Sequence, residues 1–328
     1  MNPQSENREL EQNEHKKLLL TKIVCFLAIC VFVFCALFLT WKLFLQPALA
    51  DNEQQDIKNI YYMTDTPPSV STFSGKKSKE GTSLSFAELR KVNSAIVGWI
   101  TVPNTNIDLP VLQADKKEPE YYLTHDYRNQ FSSYGSIFAD ARCSVDAGKA
   151  RSILLYGQSV RSGRMFTELN QYKSLDFYKS SPVIRFDTAE ASARWKIVGV
   201  FLANTRPEQG SPFPYTRTTF QNDRDFFNFV YQMRIRSLYN TDVSVEKDDT
   251  LLLLTTCSYE FDDFREIVVA RKVRANESDR VDVSKATINQ NVLYPDCWYK
   301  KNGGKKPVWP DTYQQAVQNK RITWGDKL

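Results

Sequence analysis

Two residues of this sequence have the types and spacing for covalent chemistry, a cysteine and an arginine that border neighbouring β-type runs. The run Thr250-Leu-Leu-Leu-Leu-Thr-Thr256 ends at Cys257, and Arg265 immediately precedes Glu266-Ile-Val-Val-Ala270. A continuous apolar run closed by polar residues reads as a buried strand, which puts Cys257 at a strand tip beside a polar connection. Pairing of the two runs as a hairpin would return Arg265 to the side of Cys257. A guanidinium in that place favours thiolate over thiol and can hold a developing oxyanion. On spacing alone, a small core cysteine and an ordinary surface arginine fit the same residues.

Cys257 has few rivals. Of six cysteines, Cys25, Cys30 and Cys35 lie inside one apolar run, leaving Cys143, Cys257 and Cys297. Three is odd, so a monomer keeps at least one free thiol. A Cys143–Cys297 bridge would leave Cys257 free, though nothing in the spacing argues for it. The histidines are His15 and His125, and no CxxC or HxxxH spacing occurs, so no metal site is expected.

The elements that must position these residues follow from composition and pattern. The chain has 328 residues, 42% of them hydrophobic, enough for a sizeable core. Its 43 basic and 38 acidic residues are interleaved without a basic stripe, which argues against a nucleic-acid partner. Ile23 to Trp41 carry no charge and nearly span a bilayer as a helix. Lys16, Lys17 and Lys22 before that run favour a cytoplasmic N-terminus with the remainder exported. Ala48-Leu49-Ala50 resembles a signal-peptide cleavage site, but the run is longer than a usual signal core, so an anchor is preferred.

Asp51 to Ser83 are polar, with Pro67-Pro68 and a basic stretch from Ser74, and read as a linker. Ser85-Phe86-Ala87-Glu88 fits a capping box, and Phe86, Leu89, Val92 and Ile96 recur at helical spacing. Short β-type runs follow at Val97–Val102, Gly135–Phe138, Ser152–Tyr156, Val183–Phe186, Trp195–Leu202, Thr250–Thr256 and Glu266–Val273. Their spacing suggests a sheet closed into a barrel, interrupted by a helix over Asp223–Ser237. The tail after Ala275 is polar, then aromatic and basic around Tyr294 to Tyr299, and its role stays open.

Leu254-Thr-Thr-Cys257-Ser-Tyr-Glu-Phe-Asp-Asp-Phe-Arg265, followed by Ile267-Val-Val-Ala-Arg271, resembles the cysteine and arginine signature of class B sortases. Val97-Gly-Trp-Ile100, Asp108-Leu-Pro-Val111, Tyr121-Tyr-Leu-Thr-His-Asp126, Gly135-Ser-Ile-Phe138 and Tyr156-Gly-Gln-Ser-Val-Arg-Ser-Gly-Arg-Met-Phe166 fall in the family order. The resemblance covers about Ser85 to Arg274. It implies a mainly β fold, a closed mixed β-barrel of sortase type. An N-terminal helix, a helical insertion between late strands and one preceding transmembrane helix complete the expected architecture. The expected division is a cytoplasmic segment at 1–22, an anchor at 23–45, a linker at 46–84, a catalytic domain at 85–275 and an extension at 276–328.

The implied activity is that of an extracellular cysteine transpeptidase of Gram-positive bacteria, without metal or organic cofactor. Such an enzyme cleaves a surface protein's C-terminal sorting signal after threonine in an Asn-Pro-x-Thr-like motif. It then joins the resulting thioester to an amine of peptidoglycan precursor. By position Cys257 matches the nucleophile, and Arg265 the arginine that stabilises the oxyanion or orients substrate. The family's Tyr-Gly-His is here Tyr156-Gly157-Gln158. A glutamine amide orients a substrate but does not titrate, so the general acid/base is missing. His125 is the substitute to consider, although the family's histidine at that position is not catalytic. Three readings remain: a slow or rewired sortase, an inactive sortase fold that binds sorting signals or wall precursor, and a tethered structural protein.

Overall fold

The structure, a computed structural model, describes residues 3–62, 79–145, 150–160, 162–322 and 324–326. It divides into two units, Met1–Asp56 and Ile57–Leu328. In the first, α1 (Pro3–Thr40) passes through a π-helical turn, Trp41–Leu45, into α2 (Gln46–Tyr62), whose last residues belong to the second. Lys17–Thr40, with mean hydropathy 3.0, is one helix long and apolar enough to cross a membrane. Only such a helix satisfies every backbone group in hydrocarbon without outside partners. His15 lies on α1, its side chain outside the described residues.

In the second unit α3 (Lys79–Val92) leads into β1 (Ile96–Thr101), β2 (Asp108–Gln113), β3 (Ile137–Ala139) and β4 (Ser152–Tyr156). A short α4 (Leu175–Ser180) precedes β5 (Val183–Thr188) and β6 (Ser192–Ala203). Then come α5 (Asp223–Arg234), β7 (Tyr239–Asn240), β8 (Leu251–Ser258) and β9 (Phe264–Lys272). The chain ends through β10 (Thr287–Ile288), α6 (Asp296–Asn302) and α7 (Tyr313–Gln318). Eight strands close a barrel in the order β1-β2-β3-β4-β8-β9-β6-β5, while β7 and β10 pair separately. The β2–β3 and β4–β8 pairs are parallel, which makes the barrel mixed as expected.

Strand alternation along β8 and β9 sends their side chains into two of the three core clusters, one inside the barrel and one outside. Leu252, Leu254, Val268 and Ala270 belong to the inner cluster with Ile100, Val111, Leu155 and Val200. Leu251, Leu253, Ile267 and Val269 belong to the outer one with Phe226, Phe229 and Val230 of α5. Asn222 caps α5 by accepting a hydrogen bond from the Asp225 amide.

The tail packs on that outer layer. Tyr313, Ala316 and Trp324 join the outer cluster, and buried Arg234 of α5 holds buried Asp326 through two hydrogen bonds, 2.7 Å and 2.6 Å. Leaving either charge alone there would cost about 3–5 kcal/mol.

Three expectations need correction. The helix predicted to start at Ser85 begins at Lys79, so buried Ser85 sits inside α3 and not at its N-terminus. β2 is absent from the expected strand runs; it forms over Asp108–Gln113, with Pro110 in the β1–β2 ladder opposite Trp99. The segment read as a linker is helical through Tyr62, with Ile57 and Tyr61 buried. The Tyr61 ring stacks on Trp99 at 4.2 Å, and its hydroxyl donates to Asp187 at 2.5 Å. Ring stacking adds about 0.5–1.5 kcal/mol beyond area burial, which ties this short apolar stretch to the barrel. Pro67-Pro68 and the stretch 74–78 lie outside the described residues.

Candidate active site

The two runs around Cys257 and Arg265 do form a hairpin. Cys257 stands directly opposite Arg265 in the antiparallel β8–β9 ladder, and both are half-buried. Alternation along β8 puts Cys257 on the outer face with Leu251 and Leu253, and alternation along β9 puts Arg265 there with Ile267 and Val269. On the other side β4 runs parallel to β8, pairing Leu154 with Leu253 and Tyr156 with Thr255. The Gly157 amide continues the ladder onto the Thr255 carbonyl at 3.2 Å, and Gln158 follows directly after it, past the end of β4. Cys257 and Arg265 therefore share the outer face of β8 and β9, and Gln158 follows the end of the adjacent β4.

Local bonds hold each member. A Cβ at Gly157 would lie 2.6 Å from the Phe166 ring, so only glycine lets the chain pass there into Gln158. The Gln158 Nε2 group donates to the Leu123 carbonyl. Its Oε1 has no protein donor among the described residues and stays available as an acceptor. Arg265 donates through Nη1 to its neighbour's Phe264 carbonyl at 3.1 Å, leaving its other N–H groups without a protein acceptor among the described residues.

The loop joining Cys257 to Arg265 is tied on several sides. The Tyr259 hydroxyl donates to the Ser159 carbonyl at 2.5 Å, and Lys173 donates to Glu260 at 2.6 Å. Arg206 grips Asp263 at 2.6 Å, while Trp298 of α6 lies 6.2 Å from the Phe261 ring.

His125 sits in the loop that supplies the Leu123 carbonyl, yet its contacts stay within that loop. Its ring stacks on Tyr121 at 3.9 Å, and its Nδ1 lies 2.9 Å from the Tyr121 carbonyl, which makes Nδ1 the protonated nitrogen. Its other ring contact is edge-on to Phe131.

Tyr215 escaped sequence reasoning. It comes from the irregular segment between β6 and α5 and is buried, with its phenol pushed up to about 12. Burial is the main cause, and Arg265 lowers the value by a smaller amount. No motif marked it, and the only signal was the length of an irregular segment between a strand and a helix. Burial raises the pKa of both Cys143 and Cys297, and both are free, so the bridge considered between them is not formed.

Glu266, read only as the start of a strand, faces the opposite way from its neighbour Arg265. It lies opposite Thr256 and is fully buried, neither carboxyl oxygen has a hydrogen-bond partner, and the nearest cation, Lys173, is 3.6 Å away. Burial pushes its carboxyl up to about 8.

No family model matches the sequence. It is 31% identical over 175 residues to Sortase B of Listeria monocytogenes, a match covering 53% of this chain and 68% of that one. It is also 31% identical over 193 residues to Sortase B of Staphylococcus aureus, over 58% and 75% of the two chains. The fold matches the Staphylococcus aureus sortase B–substrate complex with a TM-score of 0.60 and 26% identity, over 71% of this chain and all of that one. Identity at this level across more than two thirds of both relatives, joined to a shared closed barrel, means that the chain belongs to the sortase B family, the class B sortases.

Proposed function

We propose that the chain is a membrane-tethered cysteine transpeptidase of slow turnover. The observation that supports this reading is the pairing of Cys257 with Arg265 on the outer face of β8 and β9, with Gln158 following the end of β4 on the other side of β8. The Cys257 sulfur attacks the carbonyl carbon of the scissile peptide bond in a surface protein's sorting signal. The free N–H groups of Arg265 receive the oxyanion, the amine leaves with a proton, and a thioester remains. An amine of peptidoglycan precursor then attacks the thioester, gives up a proton and releases the thiol. Gln158 orients the substrate through Oε1 but moves no proton, and that loss is worth about 10²–10⁴-fold in rate. The domain division 1–22, 23–45, 46–84, 85–275 and 276–328 is part of this reading, with 85–275 catalytic. So is an outward orientation from Asp51 onward, which the lysines before the apolar helix favour.

A second reading, an inactive homologue that binds sorting signals or wall precursor, is favoured by the non-titrating amide at Gln158. One experiment separates the two. The full chain in detergent is mixed with a peptide containing an Asn-Pro-x-Thr motif; thioester is followed by mass spectrometry, and binding and product are measured separately. Thioester with slow product supports the transpeptidase. Binding without thioester supports the inactive homologue, and absence of both sinks both. Orientation is tested by reporters fused after Leu328, where activity only of a cytoplasm-dependent reporter reverses it.

A further inference from the structure

Beside the candidate active site lies a cleft of about 390 Å³, floored by the end of β6 and walled by the β6–α5 segment, α5 and the C-terminal extension. Ala203 lines it and pairs with Arg265, which in turn pairs with Cys257. Its near edge is therefore two strand spacings, roughly 10 Å, from the thiol's strand. Ala203 belongs to the outer cluster, so cleft and thiol open on the same side of the barrel.

The charges lining the cleft do not balance. Arg217 is neutralised by Asp225, with guanidinium contacts of 3.0 Å and 2.5 Å. Lys306 is neutralised by Asp296 at 2.5 Å. Arg236 has no carboxylate partner among the described residues. Its Nη1 donates to the Gln232 carbonyl at 2.9 Å and to Gln232 Oε1 at 2.6 Å, and its guanidinium lies 4.6 Å from the Phe213 ring. Its Nε and Nη2 groups have no protein acceptor among the described residues.

Burial lowers the Arg236 pKa to about 10, a sign that the charge is desolvated without a compensating anion. Nearby, the Asn204 Nδ2 group is spent on two carbonyls, leaving Oδ1 as an acceptor, and Asn228 Oδ1 accepts from the Tyr313 amide, leaving Nδ2 as a donor. Phe213, Phe229 and Tyr294 supply apolar walls. One open acceptor, one open donor and a guanidinium with a free edge complement a peptide backbone that carries a carboxylate.

We propose that this cleft binds the carboxylate-bearing end of a peptide, with Arg236 as the carboxylate receptor and Asn204 and Asn228 reading the backbone. About three extended residues span the distance back to the thiol's strand. If the transpeptidase reading holds, and on that reading alone, a peptide anchored there presents its other end to the thioester. The binding claim itself stands without it.

The test is a calorimetric titration of the full chain in detergent micelles with acetyl-trialanine as free acid and as C-terminal amide. The acid is expected to bind at least tenfold more tightly than the amide. Arg236→Gln should erase that preference and Arg236→Lys retain part of it. Asn228→Asp, which keeps the acceptor for Tyr313 but adds a negative charge, should weaken the acid at least tenfold and the amide less. If Arg236→Gln does not fold, Asn228→Asp decides alone. Equal binding of acid and amide, no binding of either at millimolar concentration, or a preference that survives Arg236→Gln or Asn228→Asp overturns the proposal. Displacement of the acid by inorganic phosphate as effectively as by excess acid overturns the peptide assignment in favour of a general anion site. A titration that succeeds while no thioester forms removes the transpeptidase reading and leaves this one standing.

Discussion

The two faces of the β8–β9 hairpin carry the same kinds of group in opposite circumstances. On the outer face Cys257 and Arg265 stand side by side, half-buried, with guanidinium donors open to a ligand. On the inner face, one residue along each strand, Thr256 and Glu266 stand side by side and fully enclosed, and neither side chain finds a hydrogen bond. Arg265 and Glu266 are adjacent in sequence and would neutralise each other on a flexible chain. The strand's period of two sends them to opposite faces and keeps the arginine's charge free for other work. Burial then removes the glutamate's charge at neutral pH, which is cheaper than leaving an unpaired anion inside the barrel.

Cutting the outer pair should have the largest effects. Cys257→Ala is expected to abolish thioester, read by mass spectrometry, and Arg265→Ala to lower peptide turnover by about 10²–10³-fold. Cys257 is expected to alkylate faster than Cys143 and Cys297, and Arg265→Ala should slow it. An unchanged rate would mean that the facing residues do not communicate.

Gln158→His tests the position that follows β4. Turnover should rise at least about tenfold, with little change in peptide affinity, because a proton can now be delivered in place. Rapid turnover by the natural protein, unimproved by the substitution, would remove the acid/base argument.

On the inner face the expected effect is on stability. The folded-state pKa of Glu266, about 8, is raised above its ordinary value of 4.5. Its contribution is therefore full below about pH 4.5 and is lost as pH rises through about 8, by an amount on the order of several kcal/mol. Glu266→Gln should flatten the melting temperature between pH 5 and 8, about the window in which the two pKa values differ. Cys257 alkylation should stay as it was, and a change there would mean that the two faces are coupled. Smallest of all is the expectation for His125→Ala, within about twofold of natural turnover, because its ring serves its own loop. Loss of all activity would instead identify His125 as the working acid/base.

Much of this arrangement was legible from residue order. The uncharged run before Trp41, the strand ending at Cys257, the hairpin return to Arg265 and the amphipathic pattern of α5 are local signals, and the structure has them close to where the pattern puts them. Other features left no local trace. The end of β4, which Gln158 follows, lies beside β8 only because the two strands pair in parallel across a long crossover; resemblance to a family pointed to Gln158, and nothing in the spacing did. Tyr215 has no motif, and β2 is absent from the expected strand runs. The buried ends of Arg234 and Asp326 look like surface charges until α5 and the C-terminal tail come together.

Sequence alone thus determined seven of the eight barrel strands, α5 and the long apolar helix, because hydrophobic period and chain-local hairpins are written in neighbouring residues. Tertiary structure alone decided which side chains share a face, which carboxyl loses its charge and which arginine keeps an open edge. Those outcomes depend on non-local strand pairing and on desolvation by atoms far away along the chain, neither of which a residue's sequence neighbours can report.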